Sequence, residues 1–507
     1  MGRSNRILKN LSYVTVVVAI AKILGFVRQL IAANAFGATL HTDLISLSEG
    51  LISNVDYLLI QTFATAFVPI YLQTKSNSED RESEYVSSTL KLILLLTLGI
   101  VALVEIAAPL IAKVLAPKYT AEISALLARY LRIVAPSIVF LVLTAFYGAL
   151  LKSNEAFVHA ELTNVYQSLI AILLVLLIGA WFGPDTLILA FLAAALLNAC
   201  YLAICARKYW HIQAGNPFRN EDVRSMLRMI VPLLFGYAMV FINQQIDKII
   251  VSGLGEGIVT SMNYAAVLSN FVTTFIGSVC MVFFTYVTQR IVAKQEKDAA
   301  DLVKRMSVAM ITLLIPVSII TVTNSQDIAM LVYGRGAFDR QAVTNTAAAL
   351  AGYGLMFVPI VLRELFTRMQ YGYTDTKSPA WNSTASIAVN IILSLLLSRF
   401  WGVFGVTAAT SISVLVCGIL NLVTTGKHNR EIRFGMYRKE LLLWLIGTAV
   451  CVAFTIAANR ICSGWSVLGR FAFVCGIVFV PYFAAATPIW LPLTKEFFQS
   501  RKERDKL

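Results

Sequence analysis

Charge is scarce in this chain. Lys, Arg, Asp and Glu make up 14% of its 507 residues, against about 25% in a typical soluble domain. Histidine is scarcer: there are four, and none forms an HExxH pair, so zinc-protease chemistry has no foothold. No GxxxxGK[ST] run is present, which excludes nucleotide binding by that phosphate loop. The seven cysteines show neither a CxxC nor a Cys/His spacing, so no metal ligand set and no disulfide framework is expected. What fills the chain is apolar: 58% of residues are hydrophobic and the mean hydropathy is +0.73. A soluble globule, a disordered chain and a nucleic-acid-binding module are all excluded.

The apolar runs are long. A bilayer span takes roughly 20 residues, so fourteen spans would use about 280. Runs near 11–33, 43–71, 90–114, 124–150, 160–182, 185–206, 226–252, 258–288, 305–324, 342–371, 379–399, 403–425, 439–459 and 468–491 predict fourteen helices. They are too long for strands, and the alternating ~10-residue segments of a barrel are absent. The expected fold is an all-α polytopic membrane protein. Lys22, Arg28 and the length of the first run mark it as a membrane helix, not a cleaved signal.

Basic residues set the topology. Arg207, Lys208, Arg219, Arg224 and Arg228 follow the sixth run, and Lys427, Arg430, Arg433, Arg438 and Lys439 follow the twelfth. The alternate loops are nearly free of charge, as in 37–42 and 253–257. The positive-inside rule places both termini in the cytoplasm. That bias also accounts for the net charge of +14 without nucleic acid. Gly253-Leu254-Gly255-Glu256-Gly257 superficially suits a phosphate loop, but it reads as a tight outer turn.

The chain is also repeated. Residues 26–31 line up with 241–246, Pro136 with Pro359, and Tyr147-Gly148 with Tyr371-Gly372, at similar offsets. Two parallel six-helix halves are expected, a transporter plan. The domains are then a lobe at 1–206, a cytoplasmic linker at 207–225 and a second lobe at 226–425. A basic loop at 426–438, two additional helices at 439–491 and a basic tail at 492–507 follow.

Charge inside a span is costly, about 2.5–3.5 kcal/mol on insertion scales, and normally faces a cavity or a partner. Lys22 and Arg28 lie on the first helix, about 120° apart at 100° per residue, so both can border one broad cavity. Asp43, Glu49 and Asp56 lie on the second, with Glu49 and Asp56 seven apart on one face. Asn243, Asp247 and Lys248 lie on the seventh, and Arg363, Glu364 and Arg368 on the tenth. One reading is a hydrated cavity for a charged substrate, with Asp43, Glu49, Asp56 and Asp247 as ion-coupling candidates and Asn243, Lys248 and Arg368 as secondary contacts. The other is interhelical pairing or snorkelling, and for Asp43 a helix-start role. Without an ATPase motif, transport draws on a monovalent ion gradient, the membrane potential or the substrate's own gradient. No cofactor, metal or catalytic residue is expected.

Several segments carry a resemblance. Residues 21–28 (Ala-Lys-Ile-Leu-Gly-Phe-Val-Arg), Phe36-Gly37-Ala38, Thr42-Asp43 and 65–70 (Thr-Ala-Phe-Val-Pro-Ile) resemble the first two helices of the MurJ (MviN) flippases. Ile242-Asn243, Ile246-Asp247 and the segment from Thr367 to Pro379 are similar to their later helices. The resemblance implies the MOP-superfamily fold, with two lobes around a central cavity and two extra helices. It also implies flipping of an undecaprenyl-pyrophosphate-linked oligosaccharide in the bacterial cytoplasmic membrane, with Lys22 and Arg28 on the pyrophosphate. The chain departs from the family at Lys22 (usually Arg), Gln29 (usually Asp), Val55 and Asp56 (usually a basic pair) and near Val267 (usually Arg). Lipid II and an exopolysaccharide repeat unit both stay open as cargo. A cation-coupled multidrug or metabolite exporter of the same superfamily is the alternative.

Overall fold

The computed structural model describes residues 3–213 and 215–487. Within them, the side chains of residues 3–12, 56–61, 64, 77, 79, 231–240, 434 and 485 lie outside the description. The described residues form helices and contain no strand. The order is α1 (Arg3–Phe36), α2 (Leu40–Asn77), α3 (Glu79–Leu115), α4 (Ala121–Val134), α5 (Ser137–Ser153), α6 (Phe157–Phe182), α7 (Asp185–Ala206) and α8 (Glu221–Ser252). There follow α9 (Ile258–Val292), α10 (Glu296–Thr323), α11 (Ser325–Tyr333), α12 (Arg340–Gly354), α13 (Pro359–Gly372), α14 (Lys377–Thr425), α15 (Arg438–Ile461) and α16 (Val467–Ala485).

The breaks have local causes. Thr39 caps α2 by a capping box with Thr42, and Asn220 caps α8 by accepting from the amides of Asp222 and Val223, both at 3.0 Å. Pro136 sits between α4 and α5, and Pro359 opens α13 after a 46° bend from α12. Proline lacks the N–H that continues a helix; at Pro359 the span bends, whereas 121–153 runs on across Pro136 as one span with helical backbone at Ala135 and Pro136. Gly402, at φ 54, breaks α14 without any polar loop.

Among the described residues, ten helical stretches are long and apolar enough to cross a membrane, with α4 and α5 counted together, or eleven if α12 and α13 form one bent span. The fourteen runs differ from this count for identifiable reasons. Run ten is bent at Pro359 into the pair α12 and α13, and runs eleven and twelve fuse into α14. Runs two and seven fall on α2 and α8, helices that include residues whose side chains lie outside the description and that this count therefore does not cover.

Contacts divide the chain into two compact units. The first holds Met1–Thr260 with Arg335–Asp339, and the second holds Ser261–Gly334 with Arg340–Leu507. In the first, the rings of Phe63, Phe67, Tyr85 and Phe146 join α2, α3 and α5. Phe67 lies 5.0 Å from Phe63 and 5.3 Å from Tyr85, and meets Phe146 edge-on at 5.6 Å. Helix α8 packs on α2 and α3. The loop 335–339 joins this unit through Ala337, whose N–H donates to Asn34 O at 2.9 Å. Gly336 allows that approach: it sits at φ 62, and a Cβ there would come 2.8 Å from Asn34 Cγ.

In the second unit, amides pin α13 to both halves of α14. Asn382 donates to Asn421 Oδ1 at 2.8 Å, Asn421 to Thr367 Oγ1 at 2.8 Å, and Gln370 to Asn421 O at 3.1 Å. Helix α11 is tied to the last two helices: Asn324 donates to Asn459 Oδ1 at 3.0 Å, and Arg470 Nε to Asp327 Oδ2 at 2.8 Å.

Asp375 anchors the start of α14. Its Oδ1 accepts from the amides of Lys377 and Ser378 at 3.1 and 3.0 Å, and its Oδ2 lies 2.8 Å from His428 Nε2. The Ser378 bonds, and after them His428, hold its carboxyl well below the usual carboxylate range. A depressed folded-state pKa stabilises above the unfolded value, near 3.9, and the contribution is lost as pH falls through the folded value. Asp375→Ala should therefore cost on the order of 1 kcal/mol at pH 7. Thermal melts in detergent should show that difference narrowing as pH is lowered below about 4.

Candidate functional site

The charged groups predicted from the sequence gather on α1, α2 and α8 of the first unit. Lys22 is exposed and Arg28 half-buried on α1. By helix rise, Arg28 lies about 12 Å from the Phe36 end of α1 and Lys22 about 21 Å. Glu49 lies about 14 Å into α2 from Leu40. The charges acting on Glu49 are Arg28 from α1 and Lys248 from α8. Glu49 Oε1 is closed to solvent and accepts no hydrogen bond among the described residues. A carboxylate oxygen without a donor is costly to bury, and the two cations from two other helices offset part of that cost.

Asp43 is fully buried at the start of α2. Its Oδ1 accepts from the Thr260 amide at 2.7 Å, and the amides of Gly257 and Val259 lie beside it. It thus caps the first turn of α9 as well as sitting in the first turn of its own helix. Asn243 and Asp247 are half-buried, one turn apart on α8. Asp56 lies among the residues whose side chains are outside the description.

Arg368 belongs to the second unit. Its Nη2 donates to Glu364 Oε2 at 3.0 Å and to Gly277 O at 3.4 Å. Arg363 Nη2 donates to the other oxygen, Glu364 Oε1, at 2.9 Å. The neighbour pairing expected for Arg363 and Glu364 is present, with Arg368 sharing the same carboxylate.

Two participants escaped the sequence reading. Thr260 offers no signal, because its partner Asp43 is 217 residues away. Gly50 is one glycine in an apolar helix, yet Lys248 lies over it: a Cβ at position 50 would meet Lys248 Cε at 3.4 Å and Cδ at 3.8 Å, with Nζ nearer still. Among the described residues, no three His, Cys, Asp or Glu side chains converge as a metal site. Chemically, the cluster offers guanidinium and ammonium groups in an apolar bundle, suited to an anion that must shed water.

Residues 32–475 match the family model described as lipid II flippase MurJ. A probable lipid II flippase MurJ of Rhizobium tropici is 27% identical over 461 residues, covering 88% of this chain and 83% of its own. One from Rickettsia prowazekii (strain Madrid E) is 25% identical over 428 residues, covering 82% and 83%. Among solved structures, a lipid II flippase MurJ in an inward closed conformation superposes with a TM-score of 0.78 at 18% identity, covering 95% of this chain and 99% of that one. An inward-facing multidrug resistance MATE family transporter of the MOP superfamily gives 0.65 at 13%, covering 82% and 98%. At these identities the structural likenesses show a shared fold.

Proposed function

The chain belongs to the lipid II flippase MurJ family, and from that premise we propose that it moves an undecaprenyl-pyrophosphate-linked sugar, lipid II of peptidoglycan synthesis, from the inner to the outer leaflet. It is a multi-pass membrane protein. In our reading it resides in the bacterial cytoplasmic membrane with both termini inside. We take α2, α8, the bent pair α12–α13 and both parts of α14 as spans, in two six-helix lobes (1–206 and 226–425) plus two additional helices.

The observation that carries the reading is the pair of cations on α1, Lys22 and Arg28, with Glu49 within the electrostatic reach of Arg28. A pyrophosphate does not cross hydrocarbon bare, and cationic donors replace its water. The lipid tail stays in the bilayer while rocking of the lobes exposes the site to one side and then the other. An inside-negative potential favours outward movement of the anion by about 2.3 kcal/mol per charge per 100 mV. No chemical bond changes in this cycle.

Rescue tests it. A bacterium depleted of its own lipid II flippase should survive when this chain is expressed at a verified membrane level. Purified protein in vesicles should also expose fluorescent lipid II to an outside quencher. Death of the strain with the protein present and folded, and no flipping in vesicles, would overturn lipid II as cargo. Loss of surface polymer in a deletion strain would then identify an exopolysaccharide unit.

A further inference from the structure

The family pattern places basic residues where this chain has Val55 and Asp56, yet a lysine from another helix reaches the same helix nearby. Lys248 is four residues before the end of α8, about 6 Å from Ser252 by helix rise. Side chains lean toward the N-terminus of their helix, so its ammonium points away from that end and back into the bundle. It comes to rest on α2 over Gly50, in a space that any Cβ would take. The adjacent residue is Glu49, its electrostatic partner and that of Arg28. Gly50 therefore acts as a notch, and the notch admits a charge. A glycine in mid-helix is less stable than alanine, and the close approach of Lys248 is what requires it here.

Measured from the ends of α8 and α1, Lys248, Arg28 and Lys22 lie at depths of about 6, 12 and 21 Å. These depths are taken on two helices, and one carboxylate, Glu49, is within electrostatic reach of both Lys248 and Arg28. We propose that Lys248, admitted by Gly50, is a third cation of the lipid-pyrophosphate site, held by Glu49 until the diphosphate displaces that carboxylate. This rests on the flippase reading and adds the residue that compensates for the missing basic positions on α2. A diphosphate carries more than one negative charge on several acceptor oxygens, so a third cation adds both charge and donors to those of Lys22 and Arg28.

The test is a cycle of variants with undecaprenyl pyrophosphate in detergent as the probe. Lys248→Met keeps length and apolar stem, and should weaken binding about tenfold to a hundredfold, the range for a lost charged hydrogen bond. Gly50→Ala alters no charge and favours the helix. It should weaken binding severalfold in the parent chain and leave the Lys248→Met chain unaffected. Glu49→Gln removes the internal competitor and should tighten binding. Normal affinity in Lys248→Met, or equal losses from Gly50→Ala in both backgrounds, overturns the proposal. Lys22→Ala with Arg28→Ala separates the two readings. If that pair loses the probe while Lys248→Met keeps it, this proposal falls and the flippase reading stands. If every variant binds like the parent and rescue also fails, the flippase reading falls with it.

Discussion

Arg28→Glu should abolish rescue of a flippase-depleted strain, and Arg28→Ala should reduce lipid-pyrophosphate affinity more than Lys22→Ala does. Both cations lie on α1, but their surroundings differ. Arg28 is half-buried and acts on Glu49, whereas Lys22 is exposed. A charge in a drier place interacts more strongly, because less water screens it. Removing one partner from a desolvated charge pair costs about 2–5 kcal/mol, or roughly 30-fold to several thousandfold in affinity. For Arg28→Ala we expect the upper part of that range. Lys22→Ala should give tenfold or less. Arg28→Lys keeps the charge but loses the planar fork that grips two oxygens at once, and should fall between. Titration of undecaprenyl pyrophosphate in detergent reads all three. Equal affinities for the Lys22→Ala and Arg28→Ala chains would show that burial does not rank these cations.

Arg470→Ala should be the most destabilising single change in the second unit, costing about 3–5 kcal/mol. Asp327 is only 4% exposed, and Arg470 reaches it with two nitrogens. Truncating the arginine leaves a buried carboxylate without its cation. The reverse change, Asp327→Ala, should cost less, because the Arg470 side chain is 27% exposed and finds water. Replacing both should cost less than the two single changes added together. Equilibrium unfolding in mixed micelles measures the set. If Asp327→Ala proves the worse of the two singles, the asymmetry is not one of desolvation. Asn324 and Asn459 join α11 to α15 beside this pair, so loosening of α15 and α16 should accompany the loss.

Much of the fold is legible in the sequence because hydrocarbon permits few solutions. A long apolar run becomes a helix, whereas the bend at Pro359 within the run 342–371 was not read from the sequence. The turn at 253–257 was equally plain, with Gly255 and Gly257 at φ 149 and 75. The division of α14 was visible as two runs, but not its form. Phe400-Trp401-Gly402 between the two runs contains no polar residue, and one glycine conformation makes the whole break. Helix α11 was not anticipated, since residues 325–333 are too short to register as a span.

Of the site, residue type and helix were readable, and partners were not. Nothing near Asp43 announces Thr260, and nothing near Glu49 announces Lys248. Both pairings join helices far apart in the chain, and helical periodicity says which residues share a face of one helix, not which helix that face meets. Gly50 was invisible for the same reason: a glycine's purpose is set by what fills its missing side chain.

The loop at 335–339 has a consequence for synthesis. A ribosome that has made α1 to α8 has not yet delivered everything the first unit contains, because Arg335–Asp339 belongs to it as well. At about 5–20 residues per second, on the order of ten seconds separate α8 from that loop. Throughout this interval the nascent chain offers Asn34 O no backbone donor from Ala337, and α9, α10 and α11 must enter the membrane meanwhile. Insertion of the later helices is thus a condition for finishing the earlier unit, and a chain truncated before residue 335 would leave that unit incomplete however well its own eight helices were made.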